Sequence, residues 1–163
     1  MNKRTRYLAH GALIAALYVT LTHMQNILLP GSATWAIQMR LSEALSVLAF
    51  FTPAAAPGLA VGCLVFNLTY SAALPLDWLV GSLATYLAAW SMHRLRNQPF
   101  VGMLMPALFN AILVGWELTV YIGGGFWLNA LFVAIGEAAV LLSFGAVLYR
   151  AINKRNLTAR LFG

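Results

Sequence analysis

Long apolar runs separated by short polar breaks occupy nearly the whole chain. A segment crosses a bilayer as a helix when about 20 mostly apolar residues follow one another. On that measure a first helix is expected over about 7–28, ended by Pro30-Gly31, and a loop over 29–38 carries Trp35 and Gln38. A short second helix over about 39–53 is closed by Phe51-Thr-Pro53, and Pro57-Gly58 opens a third over about 58–72. The break Leu74-Pro-Leu-Asp77 leads to a fourth helix over about 78–93. A fifth, over about 100–121, follows the basic loop His93–Pro99, and Gly123-Gly124-Gly125 turns the chain into a sixth over about 127–149. A single domain, 1–163, accounts for the pattern.

Composition decides what kind of bundle this is. Hydrophobic residues make up 61% of the 163 and charged residues 9%, against roughly 25% charged in an average soluble domain. So much apolar surface has no place to hide in a soluble fold of this size. The expected fold class is an all-α integral membrane protein, a bundle of six transmembrane helices. The opening MNKRTR followed by an apolar run resembles a signal peptide, but the run continues to about Leu29 and no cleavage site closes it.

Charge placement sets the expected orientation. Nine of the ten Lys and Arg residues fall at the start (Lys3, Arg4, Arg6), in the middle (Arg94, Arg96) and at the end (Arg150, Lys154, Arg155, Arg160). Six spans put these three places on one side, and basic flanks belong in the cytoplasm. Both termini are therefore expected to be cytoplasmic, in a multi-pass protein of the plasma membrane. The net charge of +6 then reflects anchoring to anionic lipid rather than nucleic acid.

The four acids break this pattern. Glu43, Asp77, Glu117 and Glu137 lie in or against apolar segments, and the tenth cation, Arg40, lies three residues before Glu43. A charge on the lipid face costs roughly 2.5–3.5 kcal/mol, so such residues normally face the bundle interior or a water-filled cavity. Helix rise places Glu137 near mid-membrane, with Asn67 and Asn110 near the same depth, and the other charges toward the outer face. Asn110 and Glu117, seven apart, share one helix face. Each has a plainer reading: Arg40–Glu43 as a structural ion pair, Asp77 as an N-cap before Trp78, and the amides as interhelical hydrogen bonds. Glu117 and Glu137 resist that treatment, because no outer cation remains to neutralise them. Either they are protonated, or a substrate brings positive charge or N–H donors. Carboxylates match the donor edge of a guanine-like base, and Trp116 and Trp127 near the outer rim could stack a planar ring or simply belong to an aromatic belt.

No nucleophile constellation, Walker motif or metal spacing occurs, and Cys63 and the three histidines form no ligand set. No catalytic residue, metal or cofactor is expected. Helix one carries Gly11, Ala12, Ala15 and Ala16, a small-residue seam that suits close helix approach, either within the bundle or to a partner.

The run Gln38-Met-Arg-Leu-Ser-Glu-Ala-Leu45, then Phe50-Phe-Thr-Pro53, then Pro57-Gly-Leu-Ala-Val-Gly-Cys63 with Asn67 resembles the QueT family of queuosine-precursor transporters. These are substrate-binding S components of energy-coupling-factor (ECF) importers. The resemblance implies six helices with cytoplasmic ends and a substrate site near the outer face beneath the loop 29–38. It also implies docking of Ala12 and Ala16 onto a transmembrane coupling subunit served by two ATPase subunits. The implied ligand is 7-aminomethyl-7-deazaguanine or a related base. The candidate binding residues are Glu137, Glu117, Glu43, Asn67, Arg40, Asn110, Gln38, Trp127 and Trp116. The rival expectations are an S component for another vitamin such as cobalamin, and a small proton-coupled exporter of cationic compounds.

Overall fold

Pro30-Gly31 and Gly123-Gly124 end the first and fifth apolar runs as expected, whereas Pro57 and Gly58 lie inside the helix Ala55–Thr69 rather than before it. The computed structural model describes residues 2–32 and 39–154; Gln38 and Trp35 lie outside the described residues. Among these, six helical elements follow one another: Lys3–Leu28, Leu41–Phe50, Ala55–Thr69, Asp77–Arg94, Pro99–Tyr121 and Phe126–Lys154. They are called the first to sixth helices below. Asn2 caps the first through its side-chain oxygen, which accepts the Arg4 N–H at 3.4 Å. Gly31, with φ of 82°, takes the left-handed conformation that turns the chain after Pro30.

The first, fifth and sixth helices are long and apolar enough to cross a membrane. Their outward faces are apolar too: Leu8, Ile27, Ile112, Leu131 and Val147 are among the exposed side chains. The fifth helix is interrupted at Leu104, between Pro99–Met103 and Met105–Tyr121. Pro106 causes this, since it lacks an N–H and its ring crowds the carbonyl one turn earlier. The sixth carries a π-helical stretch at Leu141–Gly145.

The second helix departs from expectation. It is a 3-10 helix of ten residues, not an α-helix over 39–53. At about 2.0 Å per residue it extends about 20 Å, short of the roughly 30 Å apolar core of a bilayer. Its sequence is apolar because it is enclosed by protein. Ser42, Glu43, Ala44, Ser46, Val47, Leu48, Ala49 and Phe50 are all buried. The first helix packs on the third, the third on the fourth, the fourth on the fifth and the fifth on the sixth, and this arc surrounds the second.

Two apolar clusters flank a polar layer. The larger joins Val47, Leu48 and Phe50 to Tyr18, Leu59, Met92 and Leu141. The smaller, Ala84, Val114, Leu118 and Val133, lies between the fourth, fifth and sixth helices. The basic residues Lys3–Arg6, Arg94–Arg96 and Arg150–Lys154 all belong to one end of the antiparallel bundle, here termed the basic end. There His93 Nδ1 meets the Ala49 carbonyl at 2.7 Å.

The small-residue seam divides. A Cβ at Gly58 would lie 2.6 Å from the Gly11 carbonyl oxygen, and one at Gly62 would lie 2.7 Å from Tyr18 Cβ and 3.0 Å from the Ala15 carbonyl oxygen. Gly11 and Ala15 thus belong to the crossing of the first and third helices, whereas Ala12 and Ala16 are exposed. Gly58→Ala must push the two backbones apart and should lower stability by about 1–3 kcal/mol, measured by thermal unfolding in detergent. Gly125→Ala, where an added Cβ meets nothing within 4 Å, should leave the transition within about 0.5 kcal/mol of the parent.

Candidate functional site

The polar layer starts on the first helix. Tyr18, Thr22 and Gln25, spaced at helical intervals, form one buried stripe facing the second helix. The Tyr18 hydroxyl donates to Glu43 Oε1 at 2.5 Å. Thr22 donates to the Tyr18 carbonyl at 2.7 Å, and its hydroxyl also meets that of Ser42 at 2.7 Å. Gln25 holds both sides of the loop: its amide donates to Ser32 Oγ at 2.9 Å and to the Met39 carbonyl, and its oxygen accepts the Leu41 N–H at 2.7 Å. Leu41 opens the 3-10 helix, so Gln25 serves one of the amides a helix start leaves without a partner.

The 3-10 geometry stacks residues three apart on one side. Ser46 accordingly reaches back and donates to Glu43 Oε2 at 3.3 Å. Both oxygens of Glu43 are therefore bonded within the protein.

Arg40 is 4% exposed and lies where the third and fourth helices meet. Its Nη1 is 3.7 Å from Cys63 Sγ, and its guanidinium is 5.8 Å from the centre of the Phe66 ring. Asn67 donates to the Asp77 carbonyl at 2.7 Å, joining the same two helices. Gly81 leaves room for this group: an added Cβ would sit 3.1 Å from Asn67 Nδ2 and 3.9 Å from Arg40 Nη1. Arg40 is within electrostatic reach of Tyr18, Cys63, Asp77 and Glu43, and also of Glu117 and Glu137.

The remaining acids are equally buried, with Asp77 at 3%, Glu117 at 0% and Glu137 at 2% exposure. Glu117 adjoins the Asp77 carboxyl, and Glu137 lies within electrostatic reach of Glu43. Asp77 is not the N-cap that the sequence suggested. Leu76 holds that position, and Asp77 Oδ2 folds back to accept the Leu74 N–H at 2.7 Å. The side chain closes the turn before the helix, which leaves its other oxygen directed elsewhere.

What distinguishes this layer is its unmet hydrogen bonding. Among the described residues, both oxygens of Glu117, Asp77 Oδ1, Glu137 Oε2, Asn67 Oδ1 and Asn110 Nδ2 are buried and meet no hydrogen-bond donor or acceptor of complementary kind. Each such group costs about 1–3 kcal/mol, more when charged. All but one of these atoms accept hydrogen bonds, and one guanidinium stands among four carboxyl groups. The layer is rich in acceptors and poor in donors.

Of the residues expected at a site, Arg40, Glu43, Glu117 and Glu137 are brought together, with Asn67 beside them. Asn110 lies on the buried face of the fifth helix with Glu117. Asn67 lies nearer the helix end than the expected mid-membrane depth, because the third helix stops at Thr69. Trp116 and Trp127 stand at the perimeter, 49% and 83% exposed. Sequence reasoning missed Tyr18, Thr22 and Gln25, whose helical spacing was visible, and undervalued Asp77. Tyr18→Phe removes a donor from a buried carboxylate and should cost about 1–3 kcal/mol of stability. Paired with Glu43→Gln the losses should not add, as read from unfolding of the two single variants and the double variant.

A search of curated proteins and a search of solved structures each return no match. The family model of the QueT transporter matches residues 8–154, from the first helix to the end of the sixth. Its helices suit a membrane, and its family is one of transporters rather than enzymes. The chain belongs to the QueT transporter family.

Proposed function

We propose that this chain is the substrate-binding S component of an ECF importer, capturing a queuosine precursor such as 7-aminomethyl-7-deazaguanine from outside the cell. The observation that carries this reading is the buried layer of unpartnered acceptors around Glu117, Asp77 and Glu137. A deazaguanine ring offers adjacent N–H donors to a carboxylate, and its aminomethyl group offers a cation. In this reading Glu117 and Glu137 contact the ligand, with Asn67 and Asn110 as further polar partners. Glu43 and Arg40 hold the frame.

The protein is then a multi-pass protein of the plasma membrane, with the basic end in the cytoplasm by the positive-inside rule. The layer lies toward the opposite end and receives substrate beneath residues 29–38, Gln38 included. A coupling subunit packs on Ala12 and Ala16, and two ATPase subunits supply the energy. The exposure of both alanines supports this, as does the groove of about 170 Å³ lined by Leu8, Gly11, Ala12, Pro57, Gly58 and Val61 among others.

Purified protein should bind 7-aminomethyl-7-deazaguanine, and Glu137→Gln should weaken that binding by more than about tenfold, or about 1.4 kcal/mol. Isothermal titration with cobalamin in parallel separates the vitamin alternative, and unchanged affinity in the variant would sink the site assignment. Ala12→Leu should leave binding intact but abolish uptake in cells expressing the coupling and ATPase subunits. Uptake that persists without those subunits and collapses with the proton gradient would identify a proton-coupled carrier instead.

A further inference from the structure

The four acids are not equivalent, and the difference assigns a role that the sequence did not. Glu43 is saturated by Tyr18 and Ser46. Among the described residues Glu117 meets no N–H or hydroxyl donor and lies within hydrogen-bonding reach only of the Asp77 carboxyl. Asp77 has one oxygen on the Leu74 N–H and one without a donor. These two carboxyl groups adjoin each other across the fourth and fifth helices. Two adjacent carboxylates repel strongly away from water unless a cation or a proton lies between them. Arg40 is shared among all four acids, and one positive charge cannot balance four.

A second observation points the same way. Asn67, 5% exposed, spends its amide on the Asp77 carbonyl, and its side-chain oxygen is buried and unmet. Asp77 Oδ1, the two Glu117 oxygens and this amide oxygen are all acceptors. A primary ammonium group carries three donors and one positive charge, and so answers both the charge and the unmet acceptors.

We propose that Asp77 and Glu117 form a specificity dyad that reads a cationic amine on the ligand, with Asn67 as its neutral third acceptor. This rests on the substrate class inferred above but assigns its charged group to two named residues, one of them outside the original candidate set. The dyad selects for charge: a ligand of the same ring and shape without the amine leaves two carboxylates facing each other. Glu137, whose charged neighbours are Glu43 and Arg40 rather than Asp77 and Glu117, takes no part in that selection and serves the rest of the ligand.

The test compares 7-aminomethyl-7-deazaguanine with 7-cyano-7-deazaguanine, which share a ring and differ in the amine. The parent protein should bind the aminomethyl compound more tightly by more than about tenfold. Asp77→Asn and Glu117→Gln, both isosteric, should each erase that preference, with the loss of affinity falling on the aminomethyl compound far more than on the nitrile. Equal affinity of the parent for both compounds overturns the dyad, as does a proportionate loss of both in the variants. A ligand-independent arm uses methylammonium chloride against equal sodium chloride in thermal unfolding. Methylammonium should raise the unfolding temperature of the parent and not of the Asp77→Asn, Glu117→Gln double variant. If neither deazaguanine binds yet this difference persists, the substrate reading fails and the dyad stands. If the difference is absent, the dyad fails whatever the substrate.

Discussion

A guanidinium withdrawn from water must be answered by its surroundings, and Arg40 imposes that requirement on every helix of the bundle. Its desolvation costs several kcal/mol unless acceptors and opposite charge replace the lost water. The first helix contributes Tyr18, the second Glu43, the third Cys63, the fourth Asp77, the fifth Glu117 and the sixth Glu137. Six elements therefore share one electrostatic centre. This gives a bundle whose helix flanks expose many apolar side chains an internal reason to adopt a single arrangement.

Close packing is what makes such a centre possible. A buried polar layer is tolerable only if water and lipid are excluded around it. The contacts of Gly58 and Gly62 with the first helix, and of Gly115 with Ala130, bring backbones nearly together. Gly81 plays the complementary part by leaving space for the Asn67 amide beside Arg40. The enclosed 3-10 helix contributes as well, because its narrow section fits inside the arc and its threefold repeat keeps Glu43 over Ser46.

Much of this architecture was legible in the chain. Six apolar segments and their boundaries follow from proline, glycine and charge, since these residues act on the backbone locally. The burial of the four acids followed from the cost of exposing them to lipid. Three features were not legible. The 3-10 geometry of Leu41–Phe50 depends on enclosure by the other helices. The turn-closing role of Asp77 depends on where Leu74 places its N–H. The stripe Tyr18-Thr22-Gln25 was present as a spacing, but alanines and glycines on the same helix suggested packing instead, and only the position of the second helix shows which face matters.

The Gln25 clamp bears on the loop it spans. Ser32 and Met39 are held by one side chain and by a backbone hydrogen bond of 3.3 Å from Met39 to Ser32. The two described residues that border the loop thus form a closed neck. The entropy of bringing the two ends together is already spent in the folded protein. Ser32 and Met39 are therefore fixed relative to each other by the first helix before any guest arrives.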